Sequence, residues 1–321
     1  MSWLVLNGSA GLDNIWERAG LETSNQSTVS KAPTYEKRLI LFLDFLGFKE
    51  IVDRTVADEA LLGDLIAALR AVPKNAEATD FAGEQVTQFS DSLVISYPFK
   101  EPAAVYTLVA NTTLAIVDLV DRGFLVRGAM TVGDLLHTDQ YLVGPAMVRA
   151  YEMESKEARY PRVLVDSKVL RTALENPYSE NSPEEEAEFI ADFLAKDVDG
   201  RFFLDYTSWN SVVEAGGRPL EEYPAYVERI ARLVEGGLGN DSWRVQEKYI
   251  WLHDRYIMMI DDSQDRTPGG DPTKPSLHAQ SMPRFETLVK AANKKVAKGL
   301  SRSWPQRFAS IYDKMLGELG K

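Results

Sequence analysis

The segment Arg38-Leu39-Ile40-Leu41-Phe42-Leu43-Asp44-Phe45-Leu46-Gly47-Phe48-Lys49 constrains the fold more than any other part of the chain. Its apolar residues run without polar alternation, which predicts a strand buried on both faces. A carboxylate, Asp44, interrupts the run, and an ionised group there is costly unless a cation or hydrogen-bond donors meet it. Gly47 follows where the chain must turn tightly, and Phe48 to Val56 has the apolar spacing of a helix. A strand end bearing an acid, then a glycine turn and a helix start, can hold a divalent metal on carboxylates and phosphates on backbone N–H groups. A capping Asp at a strand-to-helix turn accounts for the same residues without chemistry.

The rest of the composition narrows the choices. At 321 residues the chain can bury one large core or two modest ones. A net charge of −12 argues against a nucleic-acid partner, which needs a basic face. It leaves room for a nucleotide that brings its own cations. With no cysteine, disulfides, thiolate metal sites and cysteine nucleophiles are excluded. The three histidines, His137, His253 and His278, are too far apart in sequence to suggest a metal pair. No apolar run approaches the ~20 residues of a membrane span, and the first residues lack the pattern of a signal peptide. A cytoplasmic protein with no membrane partner is expected.

Taken in order, residues 1–35 read as an N-terminal arm or linker. Residues 36–166 read as one α+β domain, a mixed sheet with helices packed on it. A strand over Leu39–Phe45 is followed by helices over Lys49–Thr55 and Asp58–Val72, and by a loop over Pro73–Gly83. Strands over Glu84–Phe89 and Ser92–Tyr97 flank a tight turn at Ser90-Asp91. A helix over Ala103–Asp121 stops at Arg122-Gly123. A strand over Phe124–Val132 is expected to turn at Gly133-Asp134 into Leu135–Val143. Gly144-Pro145 launches a helix from Ala146 to about Ala158, and Arg162–Val165 is a last short strand. The predicted order is β-α-α-β-β-α-β-β-α-β.

Residues 167–321 read as a mostly helical extension packing on that domain or on a dimer partner. An acidic surface loop enters a helix within Glu175–Glu188, and Arg201–Tyr206 is expected as an extra edge strand. Trp243–Ile260 is a helix apolar nearly all round, and such helices are buried. A polar loop over Asp261–Pro283 precedes helices over Phe285–Ala297 and Trp304–Leu319.

Asp91, in Gln88-Phe89-Ser90-Asp91-Ser92-Leu93, is the second acid of interest. If its strands neighbour the first, Asp44 and Asp91 reach one end of the sheet together. Two acids there suit two Mg²⁺ or Mn²⁺ ions about 4 Å apart and in-line phosphoryl chemistry. A hairpin Asp chosen for its turn geometry is the plainer account.

Phe42-Leu43-Asp44-Phe45-Leu46-Gly47-Phe48 resembles the first metal motif of class III nucleotidyl cyclases, and Phe89-Ser90-Asp91 their second. Val126-Arg127-Gly128-Ala129-Met130-Thr131-Val132-Gly133 is similar to the strand before their second hairpin. Gly144 to Ser155 resembles the helix that follows. The resemblance spans roughly Lys37 to Val165. It implies metal ligation by Asp44, Asp91 and the Phe45 carbonyl, with phosphates on the N–H groups of Leu46, Gly47 and Phe48. Thr87 and Tyr141 stand where purine cyclases read the base edge, and neither pairs with adenine in the usual way. Val148 and Glu152 stand where an Asn and an Arg usually stabilise the transition state. Arg127 and Arg149 are then the candidates for that charge, reaching the phosphates from the opposing subunit. His137 is expected on a hairpin surface, and His253 as a satisfied core or interface residue.

These departures and the long C-terminal extension resemble the pyrimidine nucleotide cyclases of bacterial Pycsar anti-phage systems. That resemblance implies cyclisation of UTP, less readily CTP, to a 3′,5′-cyclic monophosphate that signals to a separate effector. It also implies a homodimer with shared active sites. The alternatives are a purine cyclase acting on ATP or GTP, and a catalytically dead cyclase fold that binds nucleotide or dimerises.

Overall fold

The computed structural model describes residues 33–77, 83–263 and 276–300. Strand β1 (Glu36–Phe45) is central, and it is buried on both faces as its unbroken apolar run requires. Leu39, Leu41, Leu43 and Phe45 face the main core. Ile40 and Phe42 face a second, smaller cluster.

Gly47, with φ 74°, opens helix α1 (Phe48–Thr55), and α2 (Glu59–Glu77) follows. The expected loop from Pro73 therefore begins later. Proline removes one helical hydrogen bond, and the helix formers Ala76 and Glu77 carry the turn onward. Strands β2 (Gln85–Phe89) and β3 (Ser92–Pro98) form a hairpin. Helix α3 (Ala104–Asp121) is mostly core and ends before Gly123, whose φ of 85° suits a glycine cap.

Strand β4 (Val126–His137) does not turn at Gly133-Asp134 as expected, but runs straight through it. The turn comes at Thr138–Tyr141, where the Thr138 N–H donates to the Tyr141 carbonyl at 2.8 Å. Gly133 serves packing instead. A Cβ there would stand 3.3 Å from that of Ala146, so the glycine lets the next helix close on the sheet. After the short β5 (Leu142–Val143), helix α4 (Pro145–Glu152) starts with proline in its first turn and widens into a π-helical stretch, Met153–Ala158. Strand β6 (Val163–Val165) completes the expected order of elements.

Helix α5 (Ser167–Glu175) is capped by Asp166, and α6 (Pro183–Ala191) begins with a Ser182–Glu185 capping box. Two more strands, β7 (Leu194–Lys196) and β8 (Phe202–Leu204), extend the sheet. The path is β2-β3-β1-β4-β6-β8-β7, with β5 pairing β4. Only β4 and β6 run parallel among these pairs. The expected edge strand, β8, thus lies inside β7. Helices α7 (Tyr223–Leu238), unforeseen from sequence, and α8 (Trp243–Asp261) close the main core with residues such as Tyr226, Ile230, Trp251 and Tyr256. A short α9 (Leu277–Ser281), capped by Ser276, stands within the expected polar loop. Residues 286–300 are helical, while residues 1–32 of the expected arm, residues 264–275 of that loop and the helix over 304–319 fall outside the described residues. The architecture is α+β, a mixed sheet with helices packed on both faces and a mostly helical C-terminal part.

Candidate functional site

Asp44 shares the smaller-cluster face of β1 with Ile40 and Phe42, at the end where the strand gives way to Gly47. Its cross-strand neighbours are Ser92 on β3 and Arg127 on β4. Ser92 Oγ donates to Asp44 Oδ1 at 3.0 Å, and Arg127 Nη2 lies 3.9 Å from Oδ2. The Phe45 N–H donates to the Asp91 carbonyl at 3.2 Å, which binds the β2–β3 turn to the end of β1. The turn itself puts Ser90 at φ 51°. Asp44 and Asp91 are thereby brought together. Burial holds the Asp44 carboxyl above its usual range; Ser92 opposes that, and the negative charge of Asp91 adds to it.

Two half-buried carboxylates that repel each other suit a divalent cation. Asp44 and Asp91, with the neighbouring Phe45 carbonyl, are the groups that would hold one. Among the described residues no cluster of three acids or histidines exists to hold a metal by side chains alone. The phosphate cradle is narrower than expected, because the Leu46 N–H already donates to the Leu125 carbonyl at 2.8 Å. Among the described residues, the Gly47 and Phe48 N–H groups at the start of α1 have no backbone acceptor.

Two residues that sequence reasoning missed complete this corner. Glu154, buried at 3 % exposure within the π-helical stretch, forms an ion pair with Arg127. Burial raises its pKa, against the pull of Arg127. Lys248 on α8 feels the charges of Arg127, Glu154 and Glu50, and burial above all lowers its pKa. Its position is fixed by its neighbours. Glu247 pairs with Arg159 at 2.8 Å, and Trp251 stacks on Tyr160 with centroids 5.8 Å apart. Arg149 is differently engaged: it pairs with Glu157, and its Nε stands 4.0 Å from Asp166.

Thr87 lies against His137, and Tyr141 is exposed in the turn that follows it. Thr87 Oγ1 is 2.7 Å from His137 Nε2, and Leu142, the residue after Tyr141, pairs with His137 across the hairpin. His137 is buried at 6 % exposure, which corrects its expected place on the surface. The long β4 carries it back against β2 and β3, where Ser96 Oγ meets Nδ1 at 2.8 Å. Burial, and then the charge of Arg38, lower its pKa to about 4. His253 is buried as expected, its Nε2 3.0 Å from the Arg284 carbonyl.

The outer side of α4 and β5 is apolar and open. Tyr141, Val143, Val148 and Tyr151 are all exposed there, beside a groove lined by Tyr35, Pro145, Arg149 and Glu152. Tyr151 meets Phe42 edge-on at 5.9 Å, so this surface reaches the strand that carries Asp44. Among the described residues, α3 is long and apolar enough to cross a membrane by length and composition, and 72 % of it is buried as a core helix.

No protein-family model matches the sequence, and a comparison with curated proteins returns no match. Part of the chain is similar to several solved structures. The adenylyl cyclase CyaB from P. aeruginosa is 16 % identical with a TM-score of 0.33, the match covering 44 % of this chain and 82 % of that one. The monomeric guanylyl cyclase domain of the RhoGC fusion protein from the aquatic fungus Blastocladiella emersonii is 16 % identical with a TM-score of 0.38, covering 53 % and 94 %. A class III adenylyl cyclase-like ATP-binding protein from Pseudomonas aeruginosa is 12 % identical with a TM-score of 0.35, covering 56 % of this chain and 40 % of that one.

Proposed function

We propose that this chain is a nucleotidyl cyclase that closes UTP, less readily CTP, to the 3′,5′-cyclic monophosphate with release of pyrophosphate. The observation that carries the reading is the meeting of Asp44 and Asp91 beside the free N–H groups that open α1. An acid pair next to anion-binding backbone is suited to a metal-bound triphosphate. Gly47 and Phe48 N–H groups would hold phosphate oxygens, and Arg127 and Lys248 supply positive charge from the flank. Mg²⁺ or Mn²⁺, when bound, would make the ribose 3′-hydroxyl more acidic and neutralise the triphosphate. That hydroxyl attacks the α-phosphorus in line with the departing pyrophosphate.

The exposed apolar side of α4 and β5 supports a homodimer whose sites are shared, since such a patch marks an interaction surface. Arg149, on the same helix, is then placed to serve the partner's site. In this reading residues 36–166 are the catalytic domain and 167–321 an extension that braces it. A separate effector that senses the cyclic nucleotide during phage infection completes the proposed role. A second reading, a nucleotide-binding module without turnover, is favoured by the pairing of Arg127 with Glu154 and of Arg149 with Glu157.

The test is incubation of the purified protein with each of the four ribonucleoside triphosphates and Mn²⁺, with products identified by mass. Cyclic UMP is expected, reduced at least about a hundredfold, ~2.7 kcal/mol of barrier, in Asp44→Asn and Asp91→Asn. A cyclic purine product would make it an ATP or GTP cyclase. Product formation undiminished by Asp44→Asn would overturn the site.

A further inference from the structure

A cavity of about 650 Å³ opens between the start of α3 and the loop that joins α5 to α6. It lies past the end of β3, and the length of that strand, about 20 Å, separates this end from Ser92 beside Asp44. Two acids, Glu101 and Glu186, line it, and among the described residues no lysine or arginine does. Glu186 is buried at 1 % exposure. Its Oε2 accepts from the Tyr178 N–H at 3.3 Å and from Asn181 Nδ2 at 2.9 Å. Both donors are neutral. The other oxygen, Oε1, is buried and has no hydrogen-bond partner. Burying a carboxylate with one oxygen unmet is costly, and a ligand donor that fills the place removes that cost.

We propose that this cavity binds a small primary ammonium ion carried on an apolar body, with Glu186 Oε1 as its acceptor. A guanidinium forks onto both oxygens of a carboxylate. Here Oε2 is already taken by two donors, so a single N–H of an ammonium is the better match. The body has its place beside the charge. Tyr106, Tyr178 and Phe189 line the cavity and are exposed, and the rings of Tyr106 and Phe189 meet edge-on at 6.5 Å. Aromatic faces attract a cation as well as an apolar chain. Glu101 adds a second negative charge, which favours a cation over a neutral molecule of the same shape. The first turn of α3 carries about half a positive charge, which two carboxylates outweigh. The volume is that of a small-ligand pocket. A head group reaches Oε1 by a small shift of the loop over 177–182, most of whose residues are exposed. The site is independent of the cyclase reading, and the failure of either leaves the other standing.

Two measurements on the full-length protein test it. Calorimetry at physiological salt compares 2-phenylethylamine, an ammonium at pH 7, with 2-phenylethanol, its uncharged counterpart. The amine is expected to bind at least about tenfold more tightly than the alcohol, and Glu186→Gln should abolish that preference. Phe189→Ala, which trims an exposed ring and keeps the carboxylate, should weaken the amine about threefold; it stands in as the deciding variant if Glu186→Gln does not fold. No binding of the amine, equal affinity for the alcohol, or a preference that survives Glu186→Gln overturns the proposal, as does an amine affinity unmoved by Phe189→Ala. Second, hydrogen exchange with and without the amine is expected to show slower exchange in the loop over 177–182 and the first turn of α3. Protection confined to other parts of the chain would mean a diffuse attraction of the cation to an acidic protein, and overturns the site.

Discussion

Asp44 is held against its own interest. It is half-buried beside a second carboxylate, and its pKa is raised for that reason. A group with a raised folded pKa binds its proton more tightly when folded, so folding gains stability as pH falls and loses it as the carboxyl ionises. Asp44→Asn keeps a partner for Ser92 and removes the ionisation. The variant is expected to melt at or above the wild-type temperature at pH 7, with the advantage shrinking as pH falls toward 4 in a thermal-denaturation series. A variant clearly less stable at pH 7 would mean that Arg127 and Lys248 outweigh the burial. His137 works in the opposite sense: its lowered pKa contributes stability above the ordinary histidine value that is lost as pH falls toward 4. Comparing each variant with wild type separates the two.

At the scale of elements, the approach of β4 to β1 decides where Arg127 stands relative to Asp44. Gly128 allows it. A Cβ at this position would stand 2.4 Å from the Phe42 carbonyl oxygen, a backbone atom that cannot swing aside. Gly128→Ala is expected to cost about 1–3 kcal/mol in urea unfolding, as overpacking does, and, on the proposed cyclase function, to reduce product formation by parting the two strands. A loss under a few tenths of a kcal/mol would show that the ladder is looser than its geometry implies. The order of elements from β1 to β6 was legible because each had local signals, the apolar run of β1, the turn at Ser90-Asp91 and the proline that starts α4. The meeting of Asp44 and Asp91 was legible for the same reason, as both sit at strand ends. Gly133 misled because a glycine that admits a neighbouring helix reads, in sequence, like one that makes a turn. Glu154 and Lys248 gave no signal, since a Glu among Met153-Glu154-Ser155-Lys156-Glu157 resembles a solvated helix face. Only the π-helical widening buries it. His137 was misplaced because its burial depends on contacts with residues 41 and 50 positions away.

Across the whole molecule, a buried charge network ties the sheet to its C-terminal helices. Arg162, fully buried, pairs with Asp197 and with Asp199 at 2.7 Å. Asp197 also accepts from Arg255 at 3.0 Å and from Trp251 Nε1 at 2.7 Å, both on α8. Removing one member leaves the others charged and buried, which typically costs about 3–5 kcal/mol. Arg162→Met is expected to lower the melting temperature by several degrees. Arg162→Lys should not restore it, because an ammonium cannot bridge two carboxylates as the guanidinium fork does. Full rescue by lysine would reduce the network to a simple charge balance. The same network sets the position of α8, and therefore of Lys248, at the mouth of the acid pair.

The sheet order has a consequence for how the site comes apart on heating. The acids sit on or beside β1, which is laddered on both sides, whereas Thr87 sits on β2, which has β3 alone for a neighbour. Strands held from one side open more readily than those held from two. The outer strand of the hairpin is thus fastened less firmly than the strand that carries Asp44, so on warming the hairpin loosens from its outer edge before the acid pair parts.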